Sequence, residues 1–124
     1  MSSRVLAARE LILAALDAGG ISSATTGRFA APCVHVEPGD PWSEPAALKG
    51  GASGRRLTRW RLTAIAGRAD SDAAFVTLGE LVDAVDDALV RLSGAQLPVW
   101  GKPTDYLLDG VAYASAIATV QLTV

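Results

Sequence analysis

Residues Arg56 to Gly67 alternate in character along their whole length. Trp60, Leu62, Ala64 and Ala66 fall on one side, and Arg59, Arg61, Thr63 and Ile65 on the other. A side-chain period of two marks a β-strand with one face buried. Such a strand has no stable existence alone, so it demands neighbours in a sheet and a cover for its apolar face. A second run of the same kind lies at the end of the chain. There Ala114, Ala116, Ala118, Val120, Leu122 and Val124 alternate with Tyr113, Ser115, Ile117, Thr119, Gln121 and Thr123. Asp109-Gly110 precedes it and suits a type I′ turn, so Thr104–Leu108 and the final run read as a hairpin. Cys33–Glu37, with Val34 and Val36 facing inward, and Leu97–Trp100 read as two shorter strands.

Two helices supply the cover. Ser2 or Ser3 caps the first, which runs to about Ala18 and ends at Gly19-Gly20. Val5, Ile12 and Leu16, flanked by Leu6 and Leu13, make its apolar stripe. The second opens at Thr77, which forms a capping box with Glu80, and ends at Ser93-Gly94. Leu78, Leu81, Val82, Val85, Leu89 and Leu92 recur on it at helical spacing. Residues 21–31 read as a connector. The expected architecture is α+β: a mainly antiparallel sheet of about four to five strands with two helices packed on one face. At 124 residues the chain makes a single domain, 1–124. Half of the residues are apolar and 19% are charged, which excludes disorder as the default state. The core is rich in alanine and therefore thin, so burial against neighbouring subunits would help stabilise it.

The segment from Pro38 to Gly54 fits neither period. It holds three prolines and four glycines, and with Arg55 reads as a long arm at about 38–55. Segments of this length inside a compact domain are usually binding elements. Trp42 and Leu48 are its apolar anchors.

The net charge of −2 conceals two opposed blocks. Lys49, Arg55, Arg56, Arg59, Arg61 and Arg68 fall in one stretch without an acid, and Asp70, Asp72, Glu80, Asp83, Asp86 and Asp87 in the next without a base. A subunit with one basic and one acidic surface attracts its own copies head to tail, and such contacts close into rings or run on as filaments. The expected interface therefore comprises Trp42, Leu48, Lys49, Arg55, Arg56, Arg59 and Arg61 against Glu80, Asp83, Asp86 and Asp87. The same basic face could follow DNA phosphates, but it lacks an aromatic stacking platform because Trp60 points the other way.

Catalytic and metal chemistry find little support. Cys33, His35 and Glu37 alternate on one strand face and are all metal-ligating types, yet three neighbours at this spacing lack a fourth ligand. A polar sheet face with valines behind it accounts for them better. Cys33 and His35 as a nucleophilic pair would stand ~6–7 Å apart on a flat strand, too far for proton transfer. The Gly50–Gly54 stretch lacks the phosphate-loop pattern, and a strand rather than a helix follows it. No catalytic residue, cofactor or metal is expected. The single cysteine excludes an intrachain disulfide, Met1–Arg9 shows no signal-peptide pattern, and no stretch approaches the ~20 apolar residues that cross a bilayer. A chain made in a reducing cytoplasm, with no membrane partner, is the expectation.

The ordered features resemble the tail terminator proteins of long-tailed bacteriophages. They are an N-terminal helix, the strand Cys33–Glu37 with a long arm behind it, and the strand Leu57–Ile65 leading into the helix Leu78–Leu89. A closing hairpin, Tyr106–Val124, completes the set. The resemblance covers nearly the whole chain through loose motifs. It implies a structural virion protein, made in the host bacterial cytoplasm. Its subunits would form a hexameric ring that caps the tail tube protein and docks the head-tail connector protein. Genomic DNA would pass through the lumen without being read. A head-closure or other neck protein of the same virion shares this composition. A small cytosolic enzyme or ligand-binding module, with a site between subunits around Cys33, His35 and Glu37, is the reading from another class.

Overall fold

The computed structural model describes residues 3–25, 30–45, 55–70 and 72–124. In chain order the elements are α1 (Arg4–Ala18), β1 (Ser23–Ala24), β2 (Cys33–Pro45), β3 (Arg56–Arg68), α2 (Asp72–Leu89), β4 (Val99–Trp100), β5 (Thr104–Leu108) and β6 (Val111–Thr123). The fold is α+β, as the patterning predicts. Among the described residues its sheet holds six strands in the order β1-β2-β3-β6-β4, with β5 beside β4 on the outer edge of β6. All pairs are antiparallel except β1 with β2, which is parallel.

The alternation seen in the sequence becomes three strands in register. Val34 lies beside Ala64 and Ala116, Val36 beside Leu62 and Ala118, and Trp60 beside Val120. This face meets Ala8, Ile12 and Leu16 of α1 and Leu78, Val85 and Leu89 of α2 in one apolar cluster. Both helices therefore lie on the same side of the sheet. Ser3 caps α1, its hydroxyl accepting the Leu6 N–H at 3.2 Å. The β5–β6 turn has Asp109 at φ 51° and Gly110 at φ 77°, the positive pair that a type I′ turn requires.

Three boundaries differ from expectation. The second helix starts at Asp72, so Thr77 lies inside it and the Thr77–Glu80 capping box does not open it; Asp72 supplies the first-turn acid. It stops at Leu89, short of Ser93-Gly94. The strand that begins at Cys33 continues to Pro45, so Pro38–Pro45 belong to the sheet rather than to an arm. Between Pro38, opposite Trp60, and Ser43, opposite Thr58, β2 carries a wide bulge. Prolines are tolerated there because, among the described residues, β1 pairs with β2 only at Val34 and His35 and no other strand lies along that edge. The remainder of the expected arm, 46–54, lies outside the described residues, and β1 is a strand where a plain connector was expected.

The second sheet face is also partly closed. Cys33, His35, Thr63, Ile65 and Ser115 point away from the helices and are nevertheless buried. Only the end bearing Glu37, Arg59 and Arg61 keeps the polar exposure that the sequence predicts.

Candidate assembly surfaces

Two cations of the basic strand, Arg59 and Arg61, are paired with acids of their own chain. Arg61 faces Glu37 across the β2–β3 ladder, and its Nη2 donates to both carboxylate oxygens at 3.1 Å. Arg59 Nη2 donates to Glu44 Oε1 at 2.9 Å, and Nη1 reaches the Pro41 carbonyl at 3.5 Å. Arg56 donates through Nε to Ser43 Oγ at 3.0 Å. Three of the expected interface cations thus serve to hold the distal half of β2 against β3. Arg55 is exposed, while Leu48 and Lys49 lie outside the described residues. Because Arg61 is exposed and Glu37 only partly buried, Arg61→Ala is expected to cost about 1 kcal/mol or less in a urea titration. A loss several times larger would mean that this ion pair carries the hairpin.

Trp42 is half an anchor. It is 41% exposed, and its ring stands edge-on to Trp60 with centroids 5.8 Å apart. The contact ties the bulged part of β2 to the core.

The acidic helix is less uniform than its sequence. Asp86 Oδ1 accepts the Trp100 indole N–H at 3.0 Å, which docks β4 against α2. Glu80, Asp83 and Asp87 are exposed and form no ion pair among the described residues. Asp83 stands at a groove of about 310 Å³ whose walls include Phe75, Leu78, Val82, Trp100 and Pro103.

Large apolar side chains that the sequence did not single out are exposed on α2 and along the outer sheet edge. Phe75 is 64% exposed, Leu107 72% and Val99 84%, with Val76 and Leu97 also open to solvent. Phe75 and Val76 occupy the first turns of α2; Leu97, Val99 and Leu107 follow the outer sheet edge. The available signal was the off-stripe position of Phe75 and Val76 on a helix that begins earlier than its cap residues suggest.

The Cys33, His35 and Glu37 row is a poor place for chemistry. Burial pushes the Cys33 thiol above its ordinary value, away from the reactive thiolate. His35 is buried too, its Nδ1 3.5 Å from Glu37 Oε1 and without a hydrogen bond, and Glu37 is already held by Arg61. Among the described residues no group of three or more His, Cys, Asp or Glu side chains is placed to hold a metal. Among those residues, too, no helix is long and apolar enough to cross a membrane. No protein-family model matches the chain, and no curated protein matches its sequence.

Proposed function

We propose that this chain is a structural virion protein, a tail terminator whose copies form a ring, most simply of six subunits, on the end of a phage tail tube. The ring stops tube growth, offers a docking surface to the head-tail connector, and lets duplex DNA pass without reading its sequence. The observation that carries an assembly role is the number of large apolar side chains left exposed, Phe75, Val76, Val90, Leu97, Val99 and Leu107, together with unneutralised acids on α2. Burial of such side chains against a neighbour is favourable at ~25 cal/mol per Å². The order of elements, with a basic hairpin end between two strands and a closing hairpin at the far side, supports the terminator assignment within that role.

The internal pairing of Arg59 and Arg61 shifts the source of cohesion. Opposed charge blocks no longer supply the contact by themselves; apolar burial does, and charge directs its orientation. Purified protein is expected to form rings visible in particle images, with a light-scattering mass several times that of one chain. A single-chain mass at every concentration tested would overturn the proposal. Rings that cap no tube and bind a connector on both faces would favour a head-closure protein instead.

A further inference from the structure

We infer that the groove between α2 and the β4–β5 edge is a socket for the basic end of the β2–β3 hairpin of a second copy of this chain. The inference rests on the ring proposal and names the contact that builds the ring.

The groove exists because two helices do not cover this sheet. Each helix is ~10 Å across and strands lie ~4.8 Å apart, so two helices serve about four strand positions. The sheet has a fifth position, shared by β4 and β5, and beside it the apolar cover stops. The hollow is apolar, lined by Leu78, Val82 and Ala116, while Phe75 and Pro103 form its sides. An adjoining recess reaches Asp105 past the same Phe75, Leu78 and Pro103. Asp83 thus borders the hollow and Asp105 the adjoining recess. An occupant with one apolar side chain and several cations matches both floor and rim.

The chain carries such a segment. Between Pro45 and Leu57 its charged residues are Lys49, Arg55 and Arg56, all basic, and its one large apolar side chain is Leu48. Arg55 is exposed at the foot of β3. The segment leaves and re-enters the sheet where Arg56 and Val124 exchange backbone hydrogen bonds of 2.8 and 2.9 Å. The socket lies farther along β6, against Ala116 and Trp100. From Ala116 to Val124 is roughly 27 Å at ~3.4 Å per residue. Residues 46–55, going out and back, span at most about 17 Å. The hairpin end therefore does not reach the socket of its own chain. Plug and socket at separate places on one subunit make a heterologous contact, which repeats until it closes.

Paired cysteines test this on the intact chain. Arg55→Cys and Asp83→Cys are both at exposed positions, and the native Cys33 is buried. With a short bis-maleimide, a mixture of the two single variants is expected to give covalent dimers. The double variant should give a ladder ending at the ring number, and each single variant alone should give monomer. Phe75→Ser, also at an exposed site, should keep the native melting temperature while raising the concentration needed for assembly about tenfold or more. Rings in particle images with no ladder from the double variant would overturn the socket and leave the ring proposal standing. A wild-type chain that stays monomeric would overturn both. Dimers from Arg55→Cys alone would make the contact isologous and refute the plug-and-socket arrangement. If Phe75→Ser assembles as wild type but no longer caps tubes, the groove belongs to the tube protein and the inference fails.

Discussion

Trp60→Ala is expected to remove about 3–5 kcal/mol of folding stability, a large share of the roughly 5–15 kcal/mol that a domain of this size possesses. Trp60 is 1% exposed at the centre of the apolar cluster, on the middle strand of the sheet. It belongs to the cluster that the sheet and both helices build, and the core there is largely alanine, valine, leucine and isoleucine, with the partly buried Trp100 packed against it. Neighbours that small cannot move in to fill the space, so most of the cavity would persist. Polar groups add to the loss. Trp60 Nε1 donates to Thr58 Oγ1 at 3.0 Å, and Thr58 Oγ1 donates to the Leu122 carbonyl at 2.8 Å, both buried. Trp60→Phe keeps part of the volume and breaks only the first of these bonds, so about 1–2 kcal/mol is expected. Urea denaturation followed by far-ultraviolet circular dichroism measures both. Equal losses for the two variants would show that the indole hydrogen bond, rather than the packed volume, holds this site. A double-mutant cycle with Trp42→Ala should give a coupling of about 0.5–1.5 kcal/mol, from the edge-on ring contact.

What the sequence disclosed and what it hid divide along a physical line. β3, β6 and their shared face were legible because a side-chain period of two is local information, and so was the Asp109-Gly110 turn, which depends on two dihedral angles. The cap on α1 is equally local: one hydroxyl and one N–H. β1 was not legible, because two residues become a strand only when the edge of β2 is free to receive them. Pro38, Pro41 and Pro45 broke the apparent strand, although on an unpaired edge their missing N–H groups cost nothing. Thr77 and Glu80 imitate a helix start, and only the run Asp72–Val76 already in helical conformation shows otherwise. The candidate surfaces depended most on what is not local. Glu37 meets Arg61 through strand register, and Glu44 meets Arg59 only after the bulge has displaced β2. These pairings brace the hairpin within the chain, and no local pattern in the sequence announces them. The groove beside α2 follows from how many strand positions two helices can cover, which no window of sequence contains.

Gly94→Ala is expected to cost about 2–4 kcal/mol, more than any exposed position ordinarily costs, because two penalties coincide. Gly94 has φ +83°, a conformation that side chains with a Cβ rarely adopt, and a Cβ there would stand 2.8 Å from the Thr123 carbonyl oxygen. The sequence suggests a helix terminator at this position, but α2 has already ended at Leu89. Gly94 instead lets the chain run close along β6: its own carbonyl accepts the Thr123 N–H at 3.1 Å, and Gln96 N–H donates to Gln121 at 2.9 Å. Ala95 lies across from Leu122 in the same stretch. Pushing this segment away would open the end of β6 over the buried Leu122 and release the chain that leads to β4. The loss should therefore appear both as a lower denaturation midpoint and as faster amide exchange at Gln96 and Thr123. An alanine variant as stable as wild type would mean that the chain from Leu92 to Gln96 bends without cost, and that the end of β6 is held by its pairing with β3 alone. Faster exchange confined to those two amides, with the midpoint also lowered, would tie the penalty to this contact rather than to a general loosening of the fold.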